Sequence, residues 1–449
     1  MIYKQDTISA ISTPVGVGGI SIIRVSGSDS INVVSEHFTS NLSSVKSHTA
    51  VFGKFTVDDQ IIDEVLITVF KAPNSYTGED VVEISCHGNP FVTNKILEIL
   101  LFKTRLADKG EFTQRAFFNN KIDLIKAEAV SDLLDAKTMV SHRSAIEQLE
   151  GSLSNKIKKL LQKLTEFRTL LELEIDFSES DDAEVNVEKL KNDVADFKQE
   201  LKNLANSGAE GRILREGLKV SLVGAPNVGK SSIFNRFLET ERAIVTPIAG
   251  TTRDYLEEAV SLEGYLIRIF DTAGIRSSSD EIEKIGIERS YDIIRSSDKV
   301  LFITVEEENT EELNKLKQMI DESKIIKILN KSDELKIEEI DKFKKKGYLI
   351  CSAVKEEGLR EIKDKLLADI RISDEELHSG ILTNTRQISA VKKALDSVGK
   401  ALDSLEAQLG FEFTAFDLQV ASSSLEEIIG RITTDDILND IFDNFCIGK

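Results

Sequence analysis

The chain has 449 residues, 41% hydrophobic and 30% charged, a composition typical of soluble globular proteins and a length that predicts about three domains. Its formal net charge of -20 argues against loose, charge-driven binding of nucleic acid or anionic membranes, although a nucleic acid held at a local site is compatible with it. The 3 cysteines lack metal-ligand spacing, and neither a signal peptide nor an apolar run of ~20 residues is present. We therefore expect a cytoplasmic protein without disulfides, zinc or membrane span.

Residues 1–118 are predicted to form an α+β domain. The short β-branched runs "DTISAIS", "GISIIRVSG", "DEVLITVF" and "DVVEISCHG" are bounded by Gly, Pro, Asn and Asp, and the helical stretch "VTNKILEILL" follows the last of them. The glycines of "GVGG" predict a tight turn and no dinucleotide site, because a strand and not a helix comes after them.

Residues 119–213 and 379–449 are predicted to be helical, because apolar residues recur there at spacings of three and four. Between two of these helices lies the acidic stretch "DFSESDDAEV", which we interpret as a solvated connection, with a docking surface for a basic partner as the alternative. In residues 214–378 short apolar strands alternate with amphipathic helices, which predicts a mostly parallel sheet covered on both faces. This α/β module is therefore predicted to be inserted into one helical domain.

A phosphate-binding loop follows the first strand of the α/β module. "GAPNVGKS", residues 224–231, fits the pattern G-x-x-x-x-G-K-[ST], follows the apolar "VSLV" and leads into a predicted helix. In such a loop backbone N–H groups surround the phosphates, Lys230 reaches the β- and γ-phosphates, and the Ser231 hydroxyl binds Mg²⁺.

Two further motifs identify the nucleotide as GTP. "DTAG" ends one strand, where Asp271 supports the Mg²⁺ shell and the Gly274 N–H lies near the γ-phosphate. "NKSD" ends another, and Asp333 can accept hydrogen bonds from guanine that adenine cannot donate; "CSA" is a second base-contacting loop. The predicted GTP-binding residues are Asn227, Val228, Gly229, Lys230, Ser231, Ser232, Thr246, Thr251, Thr252, Asp271, Thr272, Ala273, Gly274, Asn330, Lys331, Asp333, Ser352 and Ala353.

GTP hydrolysis also needs a group that orients the attacking water and a positive charge near the phosphates. Many small GTPases place a Gln soon after the D-x-x-G motif, but Ile275 follows Gly274 and residues 271–300 contain no Gln. Among the carboxylates of "RSSSDEIEKIGIERS" we predict that Glu283 orients the attacking water, a solvated helix position being the alternative. Asn227 and the switch "TPIAGTTRD" offer oxygen ligands for a monovalent cation, and Thr252 supplies a second Mg²⁺ hydroxyl.

With these motifs, "STPVGVGGISIIRVSG", "SYTGEDVVEISCHGNP", "GEFTQRAFFNNKIDLIKAEAV" and the terminal "FCIGK", the whole chain resembles the MnmE (TrmE) family of tRNA-modification GTPases. The resemblance implies a multidomain α/β + α fold. It contains an α+β tetrahydrofolate-binding-like dimerisation domain (1–118), an all-α helical domain (119–213 and 379–449) and an inserted P-loop α/β GTPase domain (214–378).

The resemblance also implies an activity and its partners. A homodimer would hydrolyse GTP with Mg²⁺ and K⁺ and form a hetero-oligomer with an FAD-dependent partner, MnmG or GidA. Together they would add an aminomethyl or carboxymethylaminomethyl group to carbon 5 of the wobble uridine of certain tRNAs. The one-carbon unit would come from a methylene- or formyl-tetrahydrofolate, with FAD on the partner alone and no membrane involved.

Site residues carry over by position. The resemblance assigns Asn227, Thr246, Ile248 and Thr251 to K⁺, Ser231 and Thr252 to Mg²⁺, and Glu283 to the attacking water. It assigns Arg24, Glu83, Lys121 and Lys449 to the folate. From the residues alone, Arg24 and Glu83 lie in apolar strands, so a structural ion pair is the alternative to a ligand site.

Two questions remain open from the sequence: the role of the Cys446 thiol and the function of the protein. "CIGK" does not fit a prenylation box and no polybasic run precedes it, which disfavours a lipid-anchored switch. After a helix predicted to begin at a capping box over 433–436, Cys446 is either a packed small hydrophobe or, as the resemblance implies, a catalytic thiol. The second function is a ribosome-assembly GTPase without covalent RNA chemistry, which the acidic carboxyl-terminal region disfavours.

Overall fold

The computed structural model of the protein describes residues 5–176, 186–240, 257–271, 288, 291–306 and 310–449. Contacts within the chain define two units. Unit 1 comprises Met1–Ser131, Gln148–Leu170 and Leu418–Lys449, and unit 2 comprises Asp132–Glu147 and Leu171–Asp417. Each unit is assembled from segments that lie far apart in the sequence.

Helices alternate with strands in the first third of the chain. In the rest of the chain, most of the described regular structure outside residues 218–350 is helical. In chain order the helices are α1 (Ser30–Ser35), α2 (Pro90–Leu100), α3 (Glu111–Phe118), α4 (Leu124–Asp135), α5 (Met139–Glu150), α6 (Ser152–Asp176), α7 (Val187–Glu216), α8 (Lys230–Thr240), α9 (Thr310–Met319), α10 (Ile337–Lys345), α11 (Leu359–Leu367), α12 (Asp374–His378), α13 (Thr385–Glu406), α14 (Phe411–Ile429) and α15 (Asp435–Phe442). In the described residues no helix is both long and apolar enough to cross a membrane.

The sheet of unit 1 has six strands in the order β3-β4-β5-β2-β1-β6. They are β1 (Ile8–Ile11), β2 (Gly18–Ser26), β3 (Thr49–Val57), β4 (Gln60–Phe70), β5 (Val81–Gly88) and β6 (Arg105–Leu106). All neighbours are antiparallel except β1 and β6, which are parallel. The predicted runs form β1, β2, β4 and β5, which confirms the α+β character of this region.

The two faces of this sheet differ. Val82, Ile84 and Cys86 of β5 are buried in the core against residues of α2, because alternate side chains of a strand point to opposite faces. The other face carries Glu83 and, on β4 and β3, Thr68, Leu66 and Phe52, which are half-buried or exposed. On β1 the same face is covered, because Ile8 and Ala10 pack in one cluster with Phe112 of α3. Among the described residues, the part of this face around β3, β4 and β5 therefore remains open.

The carboxyl-terminal helix α15 packs through Leu438 and Phe442 onto Leu124 of α4, and Phe445 joins the same cluster after the helix has ended. The Thr434 hydroxyl caps the helix by accepting a hydrogen bond from the Ile437 N–H at 3.4 Å. The predicted capping position, Thr433, is therefore wrong by one residue, because the helix begins at Asp435.

The sheet of unit 2 is mostly parallel, as predicted. Its order is β12-β11-β10-β7-β9-β8, with β7 (Leu218–Val223), β8 (Glu257–Leu262), β9 (Tyr265–Asp271), β10 (Lys299–Thr304), β11 (Ile325–Leu329) and β12 (Leu349–Ile350). Only β8, which the sequence patterns did not predict, runs antiparallel at the edge. The carboxyl ends of β7, β9, β10, β11 and β12 consequently meet at one edge of the sheet.

Helices α7 and α13 of unit 2 pack closely. The predicted apolar series on α7 is buried: Leu190, Val194, Phe197, Leu201 and Leu204. Two glycines permit the contact, because a Cβ at Gly208 would lie 2.6 Å from Cγ1 of Ile388 and one at Gly211 would lie 1.9 Å from the Leu382 carbonyl oxygen. The acidic stretch after α6 lies, from residue 177 onward, outside the described residues.

Candidate functional site

The phosphate-binding loop leaves the carboxyl end of β7 and enters α8 at Lys230, as predicted. Two of its glycines cannot be replaced without displacing neighbours. Gly224 has φ +151° and a Cβ there would lie 2.1 Å from the Ile303 carbonyl oxygen, while at Gly229 it would lie 2.3 Å from Nδ2 of Asn330. The loop is therefore fixed against β10 and against the residue that follows β11.

The Lys230 ammonium group folds back over this loop. Its Nζ donates hydrogen bonds to the carbonyl oxygens of Gly224 and Ala225, each at 2.8 Å, and the residue is buried. A cation held inside the loop attracts the polyphosphate of a nucleotide, as the motif predicts.

Asn330 joins the phosphate loop to the base-binding loop. It is 1% exposed, its Nδ2 donates to the Val228 carbonyl oxygen at 2.8 Å, and its Oδ1 accepts from the Ala353 N–H at 3.3 Å. The three sequence motifs are thus linked through one buried amide. Sequence reasoning placed Asn330 at the nucleotide but missed this connecting role.

Asp333 is held in its ionised form and remains accessible. The Ser352 hydroxyl donates to its Oδ1 at 2.5 Å, and this hydrogen bond lowers the pKa of the Asp333 carboxyl group. A carboxylate fixed through one oxygen can accept N–H groups from a base with the other. The arrangement suits guanine, whose ring edge offers two N–H donors.

The remaining predicted nucleotide residues divide into two groups. Asn227 (φ +65°), Ser231 and Ser232 are exposed on the loop and the first turn of α8, so their oxygen atoms are accessible to a cation; Asp271 ends β9, and Lys331 (φ +57°) precedes Asp333. The others lie outside the described residues: Thr246, Ile248, Thr251, Thr252, Thr272, Ala273, Gly274 and Glu283.

A second candidate site lies on the open sheet face of unit 1. Nε and Nη2 of Arg24 on β2 donate to Oε1 of Glu83 on β5 at 2.9 and 2.8 Å, as expected for the cross-strand pair Arg24–Glu83. The two side chains are 17% and 24% exposed. Within the described part of the chain, Oε2 of Glu83 accepts no hydrogen bond, so this half-buried carboxylate has an oxygen available for a ligand.

Two aromatic rings flank the Arg24 guanidinium. The centroid of the Phe112 ring lies 5.5 Å from Cζ of Arg24, and that of the Tyr76 ring lies 5.6 Å from it, distances that fit cation–π contacts. Phe112 is buried, whereas Tyr76 is partly exposed. Neither ring was predicted as part of the site, since the sequence does not show which loop packs beside β2.

The carboxyl-terminal tail docks at the same place through its backbone. The Phe112 N–H donates to the Lys449 backbone oxygen at 3.1 Å, and Nη1 of Arg24 donates to the Gly448 oxygen at 3.4 Å. Gly448 has φ +93°, and a Cβ there would lie 2.4 Å from the Ile11 oxygen. The tail thus closes one side of the Arg24–Glu83 pair, in agreement with the predicted grouping of Arg24, Glu83 and Lys449.

The other predicted residues of this site differ in role. Nζ of Lys121 donates to the Pro73 carbonyl oxygen at 2.9 Å, so in this structure it binds the loop that carries Tyr76. Cys446 is exposed, and its backbone oxygen accepts a hydrogen bond from the Gly110 N–H at 3.4 Å. The interpretation of Cys446 as a packed small hydrophobe is therefore wrong, because the residue is exposed although the preceding Phe445 is buried.

A buried ionic cluster holds the loop that carries Tyr76 in place. Arg115 of α3 is 1% exposed and pairs with Asp6 at 2.7 Å, Glu111 at 2.9 Å and Glu79 at 3.1 Å. Burial raises the pKa of the Glu111 carboxyl group, but the hydrogen bonds from Arg105, the Asp108 N–H and Arg115 outweigh it and leave the pKa below its ordinary value. The cluster ties α3 to the start of β1 and to the loop of Tyr76.

Two family models and full-length relatives match this chain. The family model described as "GTP-binding protein TrmE N-terminus" matches residues 7–121, and that described as "MnmE helical domain" matches residues 124–446. The chain is 43% identical to the tRNA modification GTPase MnmE of Clostridioides difficile (strain 630) over 463 aligned positions, covering 100% of both chains. It is 41% identical to the protein of the same name from Christiangramia forsetii, covering 99% of each.

Among solved structures, the chain is similar to the G domain of the T. maritima FeoB iron transporter, with 30% identity and a TM-score of 0.27 over 34% of this chain and 99% of that one. The full-length identity to the curated relatives and the two family models agree with the order of motifs along the sequence. The chain therefore belongs to the MnmE family, whose curated members are named tRNA modification GTPases.

Proposed function

We propose that the chain is a GTPase that acts in tRNA modification. The observation that carries this proposal is the edge of the unit 2 sheet, where Lys230 lies in the phosphate loop and Asp333 is held by Ser352 at the base position. The names of the relatives, tRNA modification GTPases, supply the process in which the hydrolysis is used.

The described residues account for nucleotide binding. Nζ of Lys230 exchanges the Gly224 and Ala225 oxygens for the β- and γ-phosphate oxygens, and the Ser231 hydroxyl is available to Mg²⁺, which would neutralise the charge that develops on the phosphates. Asp333 selects guanine. Water then attacks the γ-phosphorus, the bond from phosphorus to the β-phosphate oxygen breaks, and GDP and inorganic phosphate leave.

The orientation of the attacking water is assigned to Glu283, and K⁺ is assigned to Asn227 with Thr246, Ile248 and Thr251. An exposed Asn227 with φ +65° supports the cation role, because its amide oxygen is accessible beside the phosphate loop. GTP turnover should be several-fold faster in K⁺ than in Na⁺ at equal ionic strength. Equal rates in the two salts would remove the cation from the proposal.

For unit 1 we propose a tetrahydrofolate site at Arg24 and Glu83. The free Oε2 of Glu83 suits the amino and ring N–H donors of a pterin, and the residues fit a ligand better than a closed ion pair, because that oxygen is left without a partner among the described residues. A bound methylene- or formyl-tetrahydrofolate would supply a one-carbon unit, and the exposed Cys446 thiol on the tail is the proposed catalytic group.

The open face of the unit 1 sheet supports a homodimer. Phe52 of β3 and Leu66 of β4 are cross-strand neighbours, 67% and 43% exposed, and Ile20 of β2 is 68% exposed. Exposed apolar side chains on adjoining strands are typical of an interface. Phe52→Glu should therefore convert a dimer to a monomer in size-exclusion chromatography with light scattering, whereas an unchanged mass would exclude this face.

We propose that the chemistry on tRNA is carried out together with a second protein. With an FAD-dependent partner of the MnmG type, a cytoplasmic protein of this kind would extend carbon 5 of a tRNA wobble uridine by an aminomethyl or carboxymethylaminomethyl group. Isothermal titration of the full chain with GDP and with 5-formyltetrahydrofolate tests the two sites together. We expect both ligands to bind; a chain that binds GDP alone would keep the GTPase and lose the folate site.

A further inference from the structure

The loop of residues 73–80 presents Tyr76 to the Arg24–Glu83 pair in a fixed position. Tyr76 remains 39% exposed, although its hydroxyl is hydrogen-bonded to the buried Thr113 at 2.8 Å and its ring contacts Arg24. An exposed aromatic ring that is anchored at its polar end exposes apolar surface in a defined orientation. Nothing in the nucleotide chemistry or in the predicted folate contacts uses it.

The loop itself is bonded at several points. Asn119 donates to the Thr77 oxygen at 2.7 Å, Lys121 donates to the Pro73 oxygen at 2.9 Å, and the Ser26 hydroxyl donates to Glu79 at 2.7 Å. Nη1 of Arg115 lies 3.1 Å from the same Glu79 carboxylate. Tyr76 is therefore carried by a loop that is attached at one end to Lys121, which follows α3, and at the other end to α3 and β2, so its ring does not need to be ordered when a ligand binds.

The ring of Tyr76 and the carboxylate of Glu83 meet at the same guanidinium group. Both Tyr76 and Glu83 contact the guanidinium of Arg24, one through its ring and the other through Oε1. A ligand that donates N–H groups to Oε2 of Glu83 is then placed beside the aromatic surface of Tyr76. Of the chemical classes that combine N–H donors with a flat conjugated surface, a bicyclic pterin matches both groups.

We propose that Tyr76 is a specificity-determining residue that stacks on the bicyclic ring of the folate. The proposal rests on the folate site proposed above and adds to it the residue that distinguishes the ring end of the ligand from its aminobenzoyl-glutamate end. Stacking uses the ring of Tyr76 and not its hydroxyl, which already bonds Thr113. Phenylalanine should therefore substitute for it and leucine should not.

Titration calorimetry of the full chain with 5-formyltetrahydrofolate tests the ring. Tyr76→Leu should weaken binding by roughly three- to tenfold, the range expected for one aromatic contact, while Tyr76→Phe should stay within about twofold of the wild type. Tyr291→Leu is the matched control, because Tyr291 is similarly exposed at 37% and lies in unit 2. Equal binding by Tyr76→Leu and the wild type would overturn the proposal.

A second measurement separates stacking from a loss of local structure. In protein labelled with 3-fluorotyrosine, the ¹⁹F resonance that disappears in Tyr76→Phe is assigned to this residue among the 6 tyrosines of the chain. It should shift with 5-formyltetrahydrofolate and with pterin, and stay in place with p-aminobenzoyl-glutamate. A resonance that does not move under saturating folate contradicts stacking, whereas a wild type that binds no folate in calorimetry would instead remove the site itself.

Discussion

At the scale of single residues, we expect nucleotide choice to depend on the Asp333 carboxylate, whose two oxygens would have different tasks. Oδ1 of Asp333 accepts the Ser352 hydroxyl, which fixes the side chain and lowers the pKa of its carboxyl group. The other oxygen would accept hydrogen bonds from a bound base. The sequence predicted Asp333 and Ser352 separately, but their hydrogen bond depends on how the loops after β11 and β12 meet.

Asp333→Asn should change the base preference of the nucleotide site from guanine towards xanthine. The neutral amide cannot accept both guanine N–H groups, so GTP affinity should fall by roughly ten- to a hundredfold, while affinity for xanthosine triphosphate, whose C2 oxygen accepts from the amide, should rise. Competition binding against labelled GDP measures both changes. Asp321→Asn, another exposed aspartate of unit 2, is the control, and an unaltered GTP affinity in Asp333→Asn would exclude the assigned base contact.

Glu283→Ala should separate binding from turnover. A carboxylate that orients water acts on the chemical step, so GDP affinity should remain within about twofold while turnover falls by 10²-fold or more. Single-turnover hydrolysis at saturating GTP measures the step, with Glu288→Ala as the matched carboxylate control. Normal turnover in Glu283→Ala would assign the water to another group.

At the scale of elements, the carboxyl-terminal tail is held against residues from the first third of the chain. The family resemblance assigned Lys449 to the proposed folate site, but the tail after α15 has little periodicity, so its sequence did not predict how the tail is held. Backbone hydrogen bonds to Phe112 and Arg24 and the close approach of Gly448 to Ile11 provide that placement. These contacts join positions more than 300 residues apart, and no local pattern in a single sequence encodes them.

Gly448→Ala should undock the tail. Gly448 has φ +93° and its substituent would collide with the Ile11 oxygen, so we expect tetrahydrofolate binding to weaken at least tenfold while GTP hydrolysis is retained. Gly16→Ala is the control in the same unit, because no atom lies within 4 Å of a Cβ there. Folate binding that survives Gly448→Ala would show that the tail is not part of the site.

The ionic cluster of α3 should make unit 1 sensitive to acid. Hydrogen bonds from Arg105 lower the pKa of Asp6 most strongly, and the pKa of Glu111 is also lowered, so both carboxylates bind fewer protons when folded than when unfolded. Their stabilisation is complete above about pH 5 and is lost as the pH falls through the lowered pKa values.

Hydrogen exchange of the α3 amides between pH 3 and pH 6 measures this loss. Arg115→Leu removes a buried cation that three carboxylates share, two of which keep Arg105, and should lower the free energy of unfolding of unit 1 by about 3–5 kcal/mol at neutral pH. Protection of α3 that is independent of pH over this range would show that the cluster does not stabilise the fold.

The strands and helices themselves were largely predictable. Apolar runs of β7, β9, β10 and β11 and the three-to-four spacing on α6, α7 and α13 encode their own conformations, which the structure confirms. Strand β8 was missed because "EEAVSL" is short and acidic at its start, and it is stabilised by antiparallel pairing with β9. Its presence depends on a partner strand and not on its own pattern.

At the scale of the whole molecule, the two candidate sites lie in different units. The nucleotide site belongs to unit 2, and the Arg24–Glu83 site with the docked tail belongs to unit 1. Helices α6 and α14 each contain residues of both units, so the chain continues through regular structure from one unit to the other. We propose that GTP hydrolysis in unit 2 serves a tRNA modification that uses the Arg24–Glu83 site of unit 1.

Mass spectrometry of tRNA wobble nucleosides tests whether both sites are needed for the modification. In cells that lack the protein, supply of the wild type should restore the carbon-5 substituent of the wobble uridine, whereas neither Asp333→Asn, which impairs the nucleotide site, nor Glu83→Gln, which impairs the folate site, should restore it. We expect the same unmodified uridine with each variant. A wobble-uridine profile that does not change when the protein is absent would contradict this proposal and would favour a GTPase without covalent RNA chemistry.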